Sequence, residues 1–481
     1  MLSLKQAWIV LLLSIIATVC IYHPGGLYFL NDDMLHIPQV AKGIIWQHHA
    51  LRPVHDLLLQ MDTRLWNHDP FGYHLTALLL HLVCAGLLFP FIVLLLSRYA
   101  TMEKEKIQVV ALMSTALFLV YAFHSEAVLW ILGRTASLCV LFFLLSGIAY
   151  FYKEKGIHYF ILSLICFYIS LYTYEAVWVA PFFVGLLYIA DVYYLHKPWK
   201  KELVWPLVYC MAFIVQLFLR VQAMGELGGT YGNERLFNFN ISMLFLNYNR
   251  LLARSFLPPM KSVMVFVACF GVVVIVLFIL LRRFVKLKRV DPVFLLLSAG
   301  YLLSLLPVIT LGIDTHDTES ERYLYLPSVF LCTWIVYVLV RFSLRRAYVM
   351  GIFLLLLGYN FFFTFSNCRD YRVASSMAAV VYQQVGAKAA KNGSTRLIHL
   401  PYQFKGVPMF RLGFKEGLYW LGQTDTGKIT VRDTTEVFPG PAYNREIWKS
   451  HFYSSINEMQ TGNGNTQLEF RPDTTYFSFA E

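Results

Sequence analysis

The sequence predicts a mostly α-helical, polytopic membrane protein with about eleven transmembrane helices and a small C-terminal α/β domain. Three observations predict it. Of the 481 residues, 58% are hydrophobic and only 14% charged, where a soluble domain carries roughly a quarter charged residues. The apolar residues fall in blocks about twenty long, the length that crosses a bilayer. Short basic clusters separate the blocks: Lys153/Lys155, Lys197/Lys200/Lys201, Arg282/Arg283/Lys286/Lys288/Arg289 and Arg341/Arg345/Arg346.

The blocks lie at 5–23, 71–97, 107–123, 135–152, 157–173, 175–192, 203–221, 262–281, 292–312, 326–342 and 347–366. With the N-terminus in the cytoplasm, the connections 98–106, 153–156, 193–202, 282–291 and 343–346 fall inside and take the basic clusters. The connections 24–70, 124–134, 174, 222–261 and 313–325 then fall outside, with everything after 366. The net charge of +11 follows this topology. It shows no basic stripe interleaved with aromatics, so a nucleic-acid partner is not expected. The first block runs straight into Ile21-Tyr22-His23-Pro24 without a small-residue cleavage site, and reads as a retained span. Eight cysteines include no CxxC pair, which argues against a disulfide framework or a zinc site.

Within the first outer loop, 24–70, apolar residues recur at helical spacing: Ile37, Val40, Ile44 and Ile45, then Leu57, Leu58, Met61 and Leu65. Two amphipathic surface helices are expected, broken around 48–53. The stretch 236–260 reads as an interfacial or re-entrant helix. The membrane domain is thus 1–366. Residues 367–481 suffice for a small extracytoplasmic α/β domain, with a helix at Val373–Ala390. Strands are expected at Thr395–Leu400, Ile429–Arg432, Leu468–Arg471 and Thr475–Phe479.

Asp32 and Asp33 stand just past the first block, where acids are costly to desolvate and seldom serve packing. One acid suffices to cap the following helix; the second reads as a base, a substrate ligand or a metal ligand. The same surface collects Arg52, His55, Glu126, Arg134, Glu175, Glu321 and Arg322, with His36, Asp56, His68, Asp69, His74, His124, Asp314, His316 and Asp317 nearby. Plainer readings stand beside these: Arg134 snorkelling to the interface, Glu126 as a solvated loop acid, and Glu175 as the partner of an arginine. No two histidines have zinc-helix spacing. A divalent cation, Mg2+ or Mn2+, held by acids on different loops stays open. Arginine grips phosphate with a bidentate fork, and a carboxylate can deprotonate an acceptor hydroxyl. Together these roles suit a substrate with a phosphate head and a long apolar tail.

Three phrases carry a family resemblance. Ala50-Leu51-Arg52-Pro53 through Asn67-His68-Asp69-Pro70-Phe71-Gly72-Tyr73-His74 to His81 resembles the end of the first outer loop and the second span of GT-C glycosyltransferases. His124-Ser125-Glu126 through Leu132-Gly133-Arg134 and Glu321-Arg322-Tyr323-Leu324-Tyr325-Leu326-Pro327-Ser328 resemble later outer-loop phrases, in the same order. The branch resembled is the protein O-mannosyltransferase-like and transmembrane-TPR one, with its bacterial relatives. The resemblance implies inverting transfer of a hexosyl or pentosyl unit from a polyprenyl-phosphate sugar donor to a glycan, lipid or protein acceptor. It implies Asp32 or Asp33 as general base. Arg52, Arg134 and Arg322 would contact phosphate or sugar, by argument from their charge at motif positions. Glu126 and Glu321 would orient substrate or bind a metal, and His55 and Glu175 would line the substrate. No TPR array is read after the membrane region, so a bacterial inner membrane is expected, with membrane lipids as further partners. Two other classes remain open: a scaffold that binds lipid-linked glycans without catalysis, and a transporter. The transporter reading is disfavoured because the ionisable groups gather in loops.

Overall fold

The structure is a computed structural model that describes residues 3–45, 51–228, 239–285, 291–341, 346–389, 394–422, 429–439, 456–461, 465–470 and 477–479. His48, His49, Lys286, Lys288, Arg289, Arg345 and the strand ends at Arg471 and 475–476 lie outside the described residues.

Each apolar block forms a helix, because a bilayer leaves backbone groups no partner outside their own segment. In chain order these are α1 (Leu4–Ile21), α4 (Pro70–Tyr99), α5 (Lys104–Leu119), α7 (Thr135–Phe151), α8 (Ile157–Leu171), α9 (Ala180–Tyr193), α11 (Val204–Met224), α13 (Val263–Val285), α14 (Pro292–Ser304), α15 (Tyr325–Arg341) and α16 (Arg346–Ala389). Between them lie α2 (Asp33–Ala41), α3 (Pro53–Trp66), α6 (Ser125–Leu129), α10 (Trp199–Glu202) and α12 (Ile241–Arg254), with α17 (Phe414–Trp420) near the C-terminus. By length and composition, 7 helices among the described residues can cross a membrane, or 8 if the bent pair Lys104–Leu119 and Ala122–Leu129 is one span. The count of about eleven is therefore not reached on that criterion. Ile157–Leu171 and Pro292–Val308 are too short for it; the 15 residues of α8 reach about 22 Å.

The two helices expected in the first loop are α2 and α3, and α3 has an instructive polarity. Leu57, Met61 and Leu65 are exposed, while His55, Asp56 and Asp62 are buried. Such a helix turns its apolar stripe to lipid and its polar face to the protein. The 236–260 stretch contains the amphipathic α12.

The expected helix at Val373–Ala390 is not separate. It continues the last apolar helix as α16, 44 residues long, so position 366 falls inside one rod. Beyond it, two four-stranded sheets form: β1 (Thr395–Ile398), β4 (Ile429–Val431), β6 (Ile456–Thr461) and β7 (Asn465–Phe470) in the order β4-β1-β7-β6, and β2 (Leu400–Phe404), β3 (Val407–Pro408), β5 (Thr434–Pro439) and β8 (Phe477–Phe479) in the order β3-β2-β5-β8. The single strand expected over Thr395–Leu400 is split by His399, whose φ of 54° no strand accommodates.

The hydrophobic residues form two cores. One lies among the membrane helices, where α4 packs on α5 and α7, α7 on α8, and α14 on α15. The other joins loop 24–70 to the distal half of α16 and to the sheets, bringing Phe29, Met34 and Ile37 together with Tyr382, Leu397 and Phe414. Because α4 runs from the loop end to the far end, Arg98 marks the opposite side. There it makes paired bonds to Asp191 at 3.0 and 2.8 Å, in a network with Lys153 and Lys197.

Candidate active site

The site end of the bundle is where loop 24–70, the turn around α6, the turn at Glu175 and the loop before α15 converge. Asp32 occupies the N-cap position of α2 but makes no side-chain cap bond. Asp33, the first helical residue, is fully buried. Its Oδ2 accepts from the Leu30 N–H at 2.9 Å and its Oδ1 from the Leu132 N–H at 3.2 Å, tying the first loop to the α6 turn. Burial pushes the Asp33 carboxyl up to about 8, against the pull of those two N–H groups. Asp32 is partly exposed, yet its Oδ1 is buried without a hydrogen-bond partner. Its carboxyl is also raised by burial, while Arg411 and Arg322 lower it and Glu319 raises it.

The buried Arg134 binds Asp62 at 2.5 Å and donates to the Tyr73 carbonyl at 3.2 Å; its Nε and Nη2 have no hydrogen-bond partner. Asp62 is held in turn by the Thr76 hydroxyl at 2.8 Å. Next to this pair His55 is buried, and its ring is kept well below the ordinary histidine range by burial and by the Arg134 and Arg52 charges. Arg52 and Arg220 clamp opposite oxygens of Glu175 at 2.7 and 2.8 Å. Arg52 also lies 4.8 Å over the Tyr174 ring, a cation–π contact.

On the other flank, Glu126 takes the Arg322 backbone N–H at 2.9 Å and an ion pair from the Arg322 guanidinium. That guanidinium sits 5.0 Å over Trp130 and 4.9 Å over Tyr323. Gly133 is required here, because a Cβ would collide with the Glu126 carbonyl where the chain folds back; the fold-back is what brings Glu126 and Arg134 into one turn. Deeper, Arg254 and Glu321 pair at 2.5 Å with both side chains wholly buried. Arg254 further donates to the carbonyls of Leu257 at 2.6 Å and Asp314 at 3.0 Å. Removing one partner of such a pair typically costs about 3–5 kcal/mol. Asp317 above it is pushed up to about 7 by burial, with Asp314, Glu319 and Glu126 adding to the rise.

The structure thus gathers every sequence-predicted site residue at this end, in two chains of charges. Asp33, Arg134, His55, Arg52 and Glu175 form one; Asp32, Arg322, Glu126 and Glu321 belong to the other. The loop acid Glu126 is buried, and Glu175 does pair with an arginine. Several nearby candidates serve local structure. Asp69 caps α4 at the Phe71 N–H, 3.0 Å away; His74 Nε2 donates to the Tyr28 carbonyl at 3.2 Å; His124 lies 2.7 Å from the Ser328 hydroxyl. Among the described residues no three His, Cys, Asp or Glu side chains converge on a metal position. The acids Glu126, Glu175 and Glu321 each already carry an arginine.

Sequence reasoning missed Asp62, Arg220, Arg254, Glu319 and Arg411. Arg220 did carry a signal, since it is the one charged residue on an apolar helix; Arg254 shares its amphipathic helix with Arg250, so nothing in the sequence singled it out. Arg411 carried none, because only the docking of the C-terminal domain brings it here.

No family model matches the chain. Among solved structures, the crystal structure of ArnT from Cupriavidus metallidurans bound to undecaprenyl phosphate superposes with a TM-score of 0.44 at 9% identity, covering 94% of this chain and 96% of that one. In sequence, the chain is 33% identical over 116 residues to protein O-mannosyl-transferase TMTC4 of Mus musculus, a match to 23% of this chain that spans 16% of the relative's length. That relative is named for O-mannosyl transfer, the activity of the branch which the three loop phrases resemble.

Proposed function

We propose that this chain is an integral membrane glycosyltransferase that moves a sugar from a polyprenyl-phosphate donor to an acceptor hydroxyl, with inversion, at the outer face of a bacterial inner membrane. The observation that carries the reading is the open Oδ1 of Asp32, buried without a hydrogen-bond partner and flanked by arginines. The match to an O-mannosyl-transferase supports the same class.

In this reading the Asp32 carboxylate takes the proton of the acceptor hydroxyl as that oxygen bonds the anomeric carbon. The bond from the anomeric carbon to the phosphate oxygen breaks, and its electron pair leaves on the phosphate. Arg322, Arg134 and Arg52 supply the charge that stabilises the leaving group, while the polyprenyl chain stays in lipid beside the exposed leucines of α3. Asp33 holds the loop that presents Asp32, and His55 stays neutral between Arg134 and Arg52. The acceptor is a glycan, lipid or protein hydroxyl.

The test is transfer of label from a radiolabelled polyprenyl-phosphate sugar into membrane extract by purified wild type, Asp32→Asn and Asp33→Asn. Transfer that survives Asp32→Asn sinks Asp32 as base. A second reading, a scaffold that binds lipid-linked glycans without catalysis, is favoured by one observation. Arg52, Arg134 and Arg322 are all ion-paired to acids. Donor binding without transfer by wild type would select it.

A further inference from the structure

The C-terminal domain is built into the wall beside Asp32. It shares one hydrophobic core with loop 24–70. The Asn31 N–H donates to the Met409 carbonyl at 2.8 Å, one residue before Asp32. Gly413, at φ +79°, lies so close to the backbone of Met34 and Leu35 that any Cβ would overlap it. Between these two anchors, Arg411 reaches Glu319 at 2.7 Å. The segment is therefore pinned on both sides of Arg411, and the arginine has little freedom to leave Asp32's surroundings.

We propose that Arg411 is a positioning residue for Asp32, so that the C-terminal domain completes the proposed site. The inference rests on the glycosyltransferase reading above for its consequence in catalysis, and on the docking of residues 409–413 against residues 31–35 for the coupling itself. The charged groups around Asp32 are Arg322 and Glu319 from the loop before α15, Asp33 and Arg411, with His36 one helical turn on, its backbone N–H donating to the Asp32 carbonyl. A carboxylate with a buried open oxygen resists ionisation unless cations offset the lost hydration. Arg322 is one such cation, fixed by Glu126 and by its two aromatic rings. Arg411 is the other. It is half exposed and held by a surface carboxylate, which makes its influence real but screened by salt.

The experiment compares full-length wild type, Arg411→Gln and Arg411→Lys in two measurements. The first needs no activity: carbodiimide, which reacts with protonated carboxyls, is applied across pH and Asp32 labelling is read by peptide mass spectrometry. The second is the pH profile of kcat/KM for sugar transfer. Arg411→Gln is expected to move the Asp32 labelling midpoint and the acid limb of the profile to higher pH. At the acid end in low salt, kcat/KM falls roughly two- to fivefold. The gap closes at alkaline pH and at high salt, and Arg411→Lys restores most of it. A labelling midpoint unchanged in Arg411→Gln, or unmoved by restoring the charge with lysine, overturns the proposal. A shifted midpoint in a wild type that transfers no sugar supports the coupling and defeats the enzymatic reading instead.

Discussion

Asp33 places both carboxylate oxygens on backbone N–H groups of Leu30 and Leu132, whereas its neighbour Asp32 keeps Oδ1 without a hydrogen-bond partner. Two adjacent residues of one type thus have opposite situations. The expected consequences separate cleanly. Asp32→Asn abolishes transfer and leaves the melting temperature near wild type, because it removes a charge but no bond. Asp33→Asn destabilises by about 1–3 kcal/mol, since its amide NH2 must face one of the two N–H donors. Denaturation in detergent together with the transfer assay checks both; equal loss of stability in the two variants would refute the division.

The raised carboxyl of Asp33 makes stability depend on pH. Between the ordinary aspartate value and about 8, the folded chain holds a proton that the unfolded chain has released. Stability from this group is therefore full at low pH and declines as pH rises across that window. The fall in melting temperature from pH 5 to pH 8 should be shallower in Asp33→Asn than in wild type. Identical slopes would place the titration elsewhere.

The wholly buried Arg254–Glu321 pair behaves differently from the surface pair Arg411–Glu319. Arg254→Met leaves Glu321 with an uncompensated buried charge, and a loss of about 3–5 kcal/mol is expected. Adding Glu321→Gln returns part of it. Breaking Arg411–Glu319 costs at most about 1 kcal/mol. A double-mutant cycle on each pair measures the contrast, and equal coupling energies would contradict it.

Arg322 contacts Glu126 through its guanidinium and lies over Trp130 and Tyr323. Lysine keeps the charge but loses the planar fork and the stacking. Arg322→Lys should therefore lower kcat/KM for the donor about 10- to 100-fold, the size of one lost charge-assisted bond, with little change in fold by circular dichroism. Wild-type kinetics in this variant would remove Arg322 from the donor site.

The sequence by itself determined the helical blocks, the basic clusters between them, the two amphipathic helices of the first loop, and the gathering of acids and arginines at one end. These follow from hydropathy and helical period, which act over a few turns and need no knowledge of partners. Tertiary structure decided which aspartate stays open and which arginine meets which acid. Arg52 finds Glu175 across 123 residues, and Arg322 finds Glu126 across 196. Charges pair through space at ångström range, and that proximity exists only once the helices have packed. The same reason hid Arg411: a lone arginine in a small soluble domain gains its meaning from the Asn31–Met409 and Gly413 contacts that dock the domain beside Asp32.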